Sequence, residues 1–355
     1  MPKESSLKPV YFQLEQAKED GYFTAAFVEC GSFIKNTVFE RWSTGVSAGQ
    51  NIFDLASLSK ALVLSPLIFN LSRSTNRPLD ATVKEWLGST AHQLPNNLWD
   101  LKVSHLLGHS SGLPAWRNFW INQLDGSTSC RHSTNNRHRL MEEVFCRYQN
   151  HEWKNPPVYS DVGMLLLSYL LEKLEGASVL ECFKTKMANH LDLGSNAFLG
   201  GTDSNSALRS RCIPSAFCKL RNRMVQGEVH DENCYALGGF TGHAGLFGSG
   251  EGLSCLLRSG DRIPFWSDFL AANEKARLGG ENLIGMRLGD DPSSKGFGHG
   301  RSLGHLGFTG TAFWMDYISG TYALFLTNRV ISGRRSSRIK DLRRVVFSGL
   351  QDSID

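Results

Sequence analysis

The apolar positions recur with different periods along the chain, and these changes predict its elements. Residues 11–20 (Tyr-Phe-Gln-Leu-Glu-Gln-Ala-Lys-Glu-Asp) suit a helix ending at Gly21. Phe23–Glu29 and Phe33–Arg41 carry aromatic and β-branched residues around Cys30-Gly31-Ser32, which predicts an antiparallel hairpin. From about 76 to 237 the pattern turns to helices and long polar loops with few strand signals. Val162–Leu171 within it is apolar on nearly every side and predicts a buried helix, whereas Arg117–His138 is rich in Asn, Ser, Thr and Arg and reads as a loop bordering a site, a possible lid. Strand signals return late: Leu303–Tyr317 and Thr321–Arg329 alternate around Ser319-Gly320, and a last helix over 336–351 places Ile339, Leu342, Val346 and Leu350 on one face. Its many arginines form the solvated face of a helix packed on a sheet. The expected architecture is α+β in a single domain, with residues 1–55 and 238–355 forming an α/β half and 56–237 a mostly helical half.

Composition narrows the function classes. With 355 residues, 41% hydrophobic and 20% charged, the chain can bury a full core. A net charge of +4 demands neither nucleic acid nor a membrane as partner. The eight cysteines are scattered without a C-x-x-C pair, which argues against a metal knuckle or redox dithiol. The first eight residues lack the apolar core of a secretory signal, and no run approaches the roughly 18 to 20 apolar residues of a membrane span. The expectation is a cytoplasmic protein with reduced thiols. No phosphate loop, dinucleotide fingerprint or zinc signature is present, so neither cofactor nor metal is expected.

The chemistry centres on Phe53-Asp54-Leu55-Ala56-Ser57-Leu58-Ser59-Lys60, read as the start of a helix. Ser57 and Lys60, three residues apart, face one spot, and a lysine whose pKa is lowered can take the proton that makes a serine nucleophilic. Phe-Asp-Leu-Ala-Ser-Leu-Ser-Lys resembles the nucleophile segment of the class C β-lactamase-like serine hydrolases, which include D-alanyl-D-alanine peptidases and esterases. The resemblance continues through Leu106–Pro114, Tyr159-Ser160-Asp161, Gly242–Phe247 and Gly304–Thr311, and spans most of residues 20 to 335.

That resemblance implies an antiparallel sheet flanked by N- and C-terminal helices, an inserted helical part, and an active-site groove between the two. It implies an acyl-enzyme on Ser57, with Tyr159 relaying protons and its pKa pulled down by Lys60. Asp161 stands where the family more often has Asn, and a carboxylate there favours charged Lys60. His305-Leu306-Gly307 falls where the family carries Lys-Thr-Gly or His-x-Gly. The amides of Phe308 and Ser57 would form the oxyanion hole, and Gly307 would let substrate approach the backbone. Gly242-His243-Ala244-Gly245 is a structural turn with no chemistry assigned to His243. Gly108-His109-Ser110-Ser111-Gly112 fits the nucleophile elbow Gly-x-Ser-x-Gly, making Ser110 a rival, although Val103–Leu107 has helical rather than strand spacing.

The expected function is a serine hydrolase for a small-molecule ester, amide or β-lactam, closest to a carboxylesterase. Leu306 is apolar and His305 largely neutral, so a substrate carboxylate finds little on this strand. Thr309, Thr311 and Arg301 are the neighbours that could supply such contacts. The alternatives are a β-lactamase or D-alanyl-D-alanine carboxypeptidase, or a penicillin-binding sensor or inactive scaffold that does not turn over.

Overall fold

β1 (Ala26–Ser32) is buried at every position because it lies in the middle of a sheet covered on both faces. A computed structural model describes residues 7–115, 117–118, 134–148, 157–195, 197–202, 205–289, 296–334 and 337–354. Most of the proposed lid, 117–138, lies outside them. α1 (Lys8–Glu19) leads into β1, which pairs with β2 (Thr37–Thr44). β1 runs through Cys30-Gly31-Ser32 with a register shift between Cys30 and Gly31, so the turn falls after the expected place. β2 alternates between exposed and half-buried, as an edge strand does.

After β3 (Phe53–Asp54) comes α2 (Ser65–Thr75), preceded by a π-turn at Lys60–Leu64. α3 (Thr134–Cys146), α4 (Asp161–Glu175) and α5 (Val179–Lys186) follow. Two short strands, β4 (Leu199–Gly200) and β5 (Phe247–Gly248), pair so that β5 lies between β3 and β4. α6 (Gly250–Leu257) then leads toward the late strands β6 (Arg287–Leu288), β7 (Leu303–Leu306), β8 (Ala312–Asp316) and β9 (Thr321–Thr327). The stretch expected to be one strand, 303–317, is therefore two. The amide of Gly307 donates to Thr311 O (2.7 Å) and Gly310 adopts φ +104°, and this tight turn reverses the chain. The main sheet has six strands in the order β2-β1-β9-β8-β7-β6, with β1 and β9 antiparallel from Ala26↔Thr327 to Ser32↔Thr321.

Alternation sends Val28, Trp314 and Phe325 to one face, where α1 and α7 (Arg338–Ile354) cover them with Leu14, Val346 and Leu350. Phe27, Phe313 and Leu324 point to the other face, against a core that includes Leu253, Leu256 and Leu257 of α6. At its N-terminus α6 approaches the sheet so closely that a Cβ on Gly250 would lie 2.4 Å from the Phe27 ring. These layers make the fold α+β.

α4 is buried from Asp161 to Glu172 and forms the axis of the helical part. Its Glu172 is fully buried and accepts from Arg137 Nη2 (2.6 Å), pairs with His138 Nε2 (2.9 Å) and accepts the Val179 amide (3.0 Å). One carboxylate thus ties α3, α4 and α5 together. Glu172→Ala leaves a buried guanidinium and an amide without their acceptor, so the unfolding free energy should fall by about 3 to 5 kcal/mol in urea denaturation. A loss below about 1 kcal/mol would show that the network does not hold these helices.

Candidate active site

The nucleophile segment is clamped from several sides. Leu55 N donates to Leu246 O (3.0 Å), Thr309 Oγ1 donates to Asp54 O (2.7 Å), and Thr311 Oγ1 donates to Leu55 O (3.1 Å). The buried Asp54 carboxylate accepts the amides of Ala56 (2.8 Å) and His230 (2.7 Å), and burial raises its pKa to about 6 despite both bonds. These contacts hold Ala56 at φ +49°, a left-handed conformation costing about 1–2 kcal/mol in a residue with a Cβ. Ser57 therefore sits on a strained turn after a strand, where the sequence reading expects a helix already begun. The π-turn opens at Lys60, and such turns concentrate at functional sites.

Lys60 is fully buried. Its ammonium donates to Ser57 Oγ (2.9 Å) and His243 O (2.8 Å) and pairs with Asp161 Oδ1 (2.8 Å). Burial presses Lys60 toward its neutral form, but Asp161 and Tyr159 outweigh it, and its pKa rises above the ordinary lysine value. The Tyr159 hydroxyl is within hydrogen-bonding reach of Ser57 and Lys60. Burial is the largest influence on this phenol and raises its pKa; Lys60 opposes this without overcoming it. The expectation of a lowered Tyr159 pKa is corrected here: Lys60 does pull it down, but burial, with Asp161 adding to it, outweighs that pull. The resting site is an ammonium, a carboxylate and a neutral phenol.

Tyr159, 38% exposed, is held by the segment that contains the elbow-like motif. The His109 ring lies against it with centroids 4.3 Å apart, His109 Nδ1 accepts the Ser160 amide (3.1 Å), and Ser160 Oγ donates to Pro114 O (2.6 Å) while capping α4 through the Gly163 amide (3.0 Å). Ser110 follows a helix, Val103–Leu107, and accepts from Asn282 Nδ2 (3.0 Å). Burial lowers the His109 pKa to about 3, with Lys60 adding to the effect.

His305 at β7 is buried and its centroid lies 5.9 Å from that of Tyr159. Its Nδ1 is 2.9 Å from Leu306 O, which makes Nδ1 the protonated nitrogen, and burial holds the ring neutral, with a pKa well below the usual value. At Gly307 a Cβ would lie 2.0 Å from Thr311 Oγ1 and 2.8 Å from Leu55 O, so only glycine fits. Among the described residues, the amides of Ser57 and Phe308 donate to no acceptor in the protein, as an oxyanion hole requires. The side chains of Thr309, Thr311 and Arg301 turn to Asp54 O, Leu55 O and Asp316, and none lines the cleft.

That cleft encloses about 710 Å³ and is lined by Ser57, Tyr159, Asp161, Leu306, Gly307 and Phe308 among others. Its wall also holds residues that sequence reading missed, notably His230, Asp231, Arg287, Arg329, Arg334 and Arg343. No motif announces them, since they are gathered from separate parts of the chain. His243 does more than shape a turn. Its carbonyl accepts a hydrogen bond from the Lys60 ammonium, and its ring bridges Thr241 Oγ1 (2.7 Å) and Asp231 Oδ1 (3.2 Å). Burial alone would raise the Asp231 pKa, but the His243 bond holds it below the usual carboxylate range. Among the described residues, no group of three His, Cys, Asp or Glu side chains is placed to hold a metal, and no helix is long and apolar enough to cross a membrane.

With this geometry in view, the comparison with known proteins is decisive on family: the Beta-lactamase profile matches residues 26–346. The chain belongs to the beta-lactamase family. A curated relative, "Putative D-alanyl-D-alanine carboxypeptidase" of Escherichia coli (strain K12), is 24% identical over 310 residues, covering 78% of this chain and 69% of the relative. Among solved structures, EstCE1, a hydrolase with promiscuous acyltransferase activity, superimposes with a TM-score of 0.64 at 17% identity, covering 96% of this chain and 98% of that one. The octameric penicillin-binding protein homologue from Pyrococcus abyssi also gives 0.64, at 16% identity, over 91% of this beta-lactamase-family chain and 73% of its own. These likenesses establish the β-lactamase-like fold.

The resting charges predict a pH profile. A proton acceptor forms only when Lys60 or Tyr159 loses a proton, and both pKa values are raised, so kcat/KM should climb from neutral into alkaline pH. Asp161 raises both, so Asp161→Asn should move that limb to lower pH. A limb that stays put or moves to higher pH would show that the carboxylate does not control the proton path.

Proposed function

We propose that this family member is a serine hydrolase working through an acyl-enzyme on Ser57, of carboxylesterase type, for small esters or amides. The observation that carries the reading is the Ser57 Oγ to Lys60 Nζ contact of 2.9 Å, with the Tyr159 hydroxyl in reach of both. Once the Lys60–Tyr159 pair has released one proton to solvent, Ser57 Oγ adds to the substrate carbonyl and its proton takes the vacated place on that pair. The oxyanion accepts the amides of Ser57 and Phe308. Tyr159 returns the proton to the leaving group, the carbonyl re-forms as an ester of Ser57, and water repeats the sequence in reverse order to free the acid. The site then lies between the α/β half (1–55 and 238–355) and the helical half (56–237).

The choice of esters over β-lactams rests on β7. A neutral imidazole at 305 and an apolar side chain at 306 give a carboxylate beside this strand neither a cation nor a hydroxyl, and an unpaired buried carboxylate is costly. The named relatives favour the alternative of a carboxypeptidase-type substrate.

Ser57→Ala should abolish hydrolysis of 4-nitrophenyl butyrate with the fold intact by circular dichroism, a loss of several orders of magnitude in rate. If Ser57→Ala stays active while Ser110→Ala is dead, the elbow reading replaces this one. Lys60→Ala and Tyr159→Phe should each cripple the enzyme, and their combination should cost little more, because they share one proton path; fully additive losses would separate them. The wild type should hydrolyse 4-nitrophenyl butyrate with a higher kcat/KM than a chromogenic cephalosporin, and Leu306→Thr should narrow the gap. A wild type favouring the cephalosporin would sink the esterase reading.

A further inference from the structure

The cleft wall beyond Phe308 carries charge that the chemistry at Ser57 does not use. Arg329, immediately after the Asn328 that follows β9, is only 6% exposed and lines the cleft. Its guanidinium lies over the Phe308 ring, 4.6 Å from the centroid, and the His230 ring stacks on Phe308 at 5.8 Å. Among the described residues no carboxylate pairs with Arg329. Its Nη1 reaches only the carbonyls of Gly333 (3.4 Å) and Arg334 (3.3 Å), at the long limit for a hydrogen bond, and its Nε is buried with no acceptor. The acids of this wall are already engaged, Glu232 with Arg334, Asp231 with His243 and Asp161 with Lys60. Lys340 lines the same cleft and is exposed. A buried cation without a counter-charge is expensive, and among the described residues only the Phe308 ring and two distant carbonyls offset this one.

We infer that Arg329 is the receptor for an anionic group on the substrate, so that the preferred acyl donors are esters carrying a carboxylate or phosphate away from the scissile bond. This rests on the acyl-enzyme reading and narrows it. A guanidinium presents several N–H groups in one plane and suits such an oxyanion, and Phe308 fixes that plane while its own amide faces the reacting carbonyl. The inference agrees with an apolar position 306. The anion is received past Phe308, where the guanidinium is, and not beside β7, where there is no charge to meet it.

The test uses the intact protein and two matched ester pairs. One places the charge on the acyl side, the 4-nitrophenyl monoester of glutarate against 4-nitrophenyl valerate. The other places it on the leaving side, the butyrate ester of 4-hydroxybenzoate against that of 4-cresol. In the wild type at least one charged ester should exceed its neutral partner in kcat/KM. Arg329→Gln should lower that charged-to-neutral ratio about tenfold, and Arg329→Lys, which keeps the charge but not the planar fork, should retain only part of it. The ratio cancels any general loss of folding or chemistry. Ratios for both pairs that are equal in the wild type and Arg329→Gln overturn the inference. If Arg329→Gln does not fold, the wild type alone decides: the ratio should fall severalfold between about 0.02 and about 0.5 M salt, and a salt-independent ratio overturns the inference. A fluorophosphonate separates the two levels. Failure to label Ser57 removes the acyl-enzyme reading, whereas labelling with charge-blind ratios removes the anion site alone.

Discussion

A fully buried ammonium must be given acceptors, and in this fold that requirement organises everything around Lys60. Its three partners come from three separate segments: Ser57 from the turn after β3, Asp161 from the start of α4, and the His243 carbonyl from the glycine-flanked turn before β5. Withdrawing Asp161 would leave the charge unpaired in a low-dielectric interior, and withdrawing either of the others would leave one N–H of the ammonium without its acceptor. The same convergence that makes the lysine tolerable brings nucleophile, carboxylate and phenol together. Stability and chemistry are here one arrangement, although the carboxylate that steadies the ammonium also opposes its deprotonation.

The cleft has an unusual balance of charge. Three histidines in or beside it are neutral at physiological pH: His305 well below its ordinary value, His109 at about 3 and His230 at about 4, each chiefly through burial and further through nearby cations. For His230 those cations are Arg334, Arg221 and Arg329, so the imidazole itself senses a positive field in that wall. With these imidazoles neutral, the positive charge of that wall is carried by its guanidiniums.

The ordered motifs made much of this legible from sequence. Ser57, Lys60, Tyr159, Asp161, His305, Gly307 and Phe308 stand together in the structure, and the apolar run after Asp161 is indeed a buried helix. What escaped was long-range or small. The period-two pattern over 303–317 reads straight through the reversal at Gly307–Thr311, since a tight turn interrupts alternation only briefly. Thr309 looked like a substrate contact and is instead a strut beneath Asp54, because a side chain's direction in a turn is set by its backbone and not by its spacing. The direction of the Tyr159 shift depended on how far Asp161 offsets Lys60 and how deeply the phenol is enclosed, and neither is written in the motif. Arg329 follows a strand with nothing to mark it, and that no carboxylate among the described residues pairs with it appears only when the neighbouring segments are in place.

The struts from Thr309 and Thr311 to the nucleophile turn join residues about 255 positions apart. During synthesis at about 5–20 residues per second, the left-handed Ala56 turn has no support until these threonines emerge, well after Ser57 itself. The central pairing of β1 with β9 is equally late. The nascent chain therefore carries Ser57 and Lys60 without the braced turn that orients them for most of its time on the ribosome. Such distant pairing also makes for slow folding. A cut between the helical middle and the late strands would part the Ala56 turn from the threonines that brace it while leaving Ser57, Lys60 and Tyr159 themselves intact.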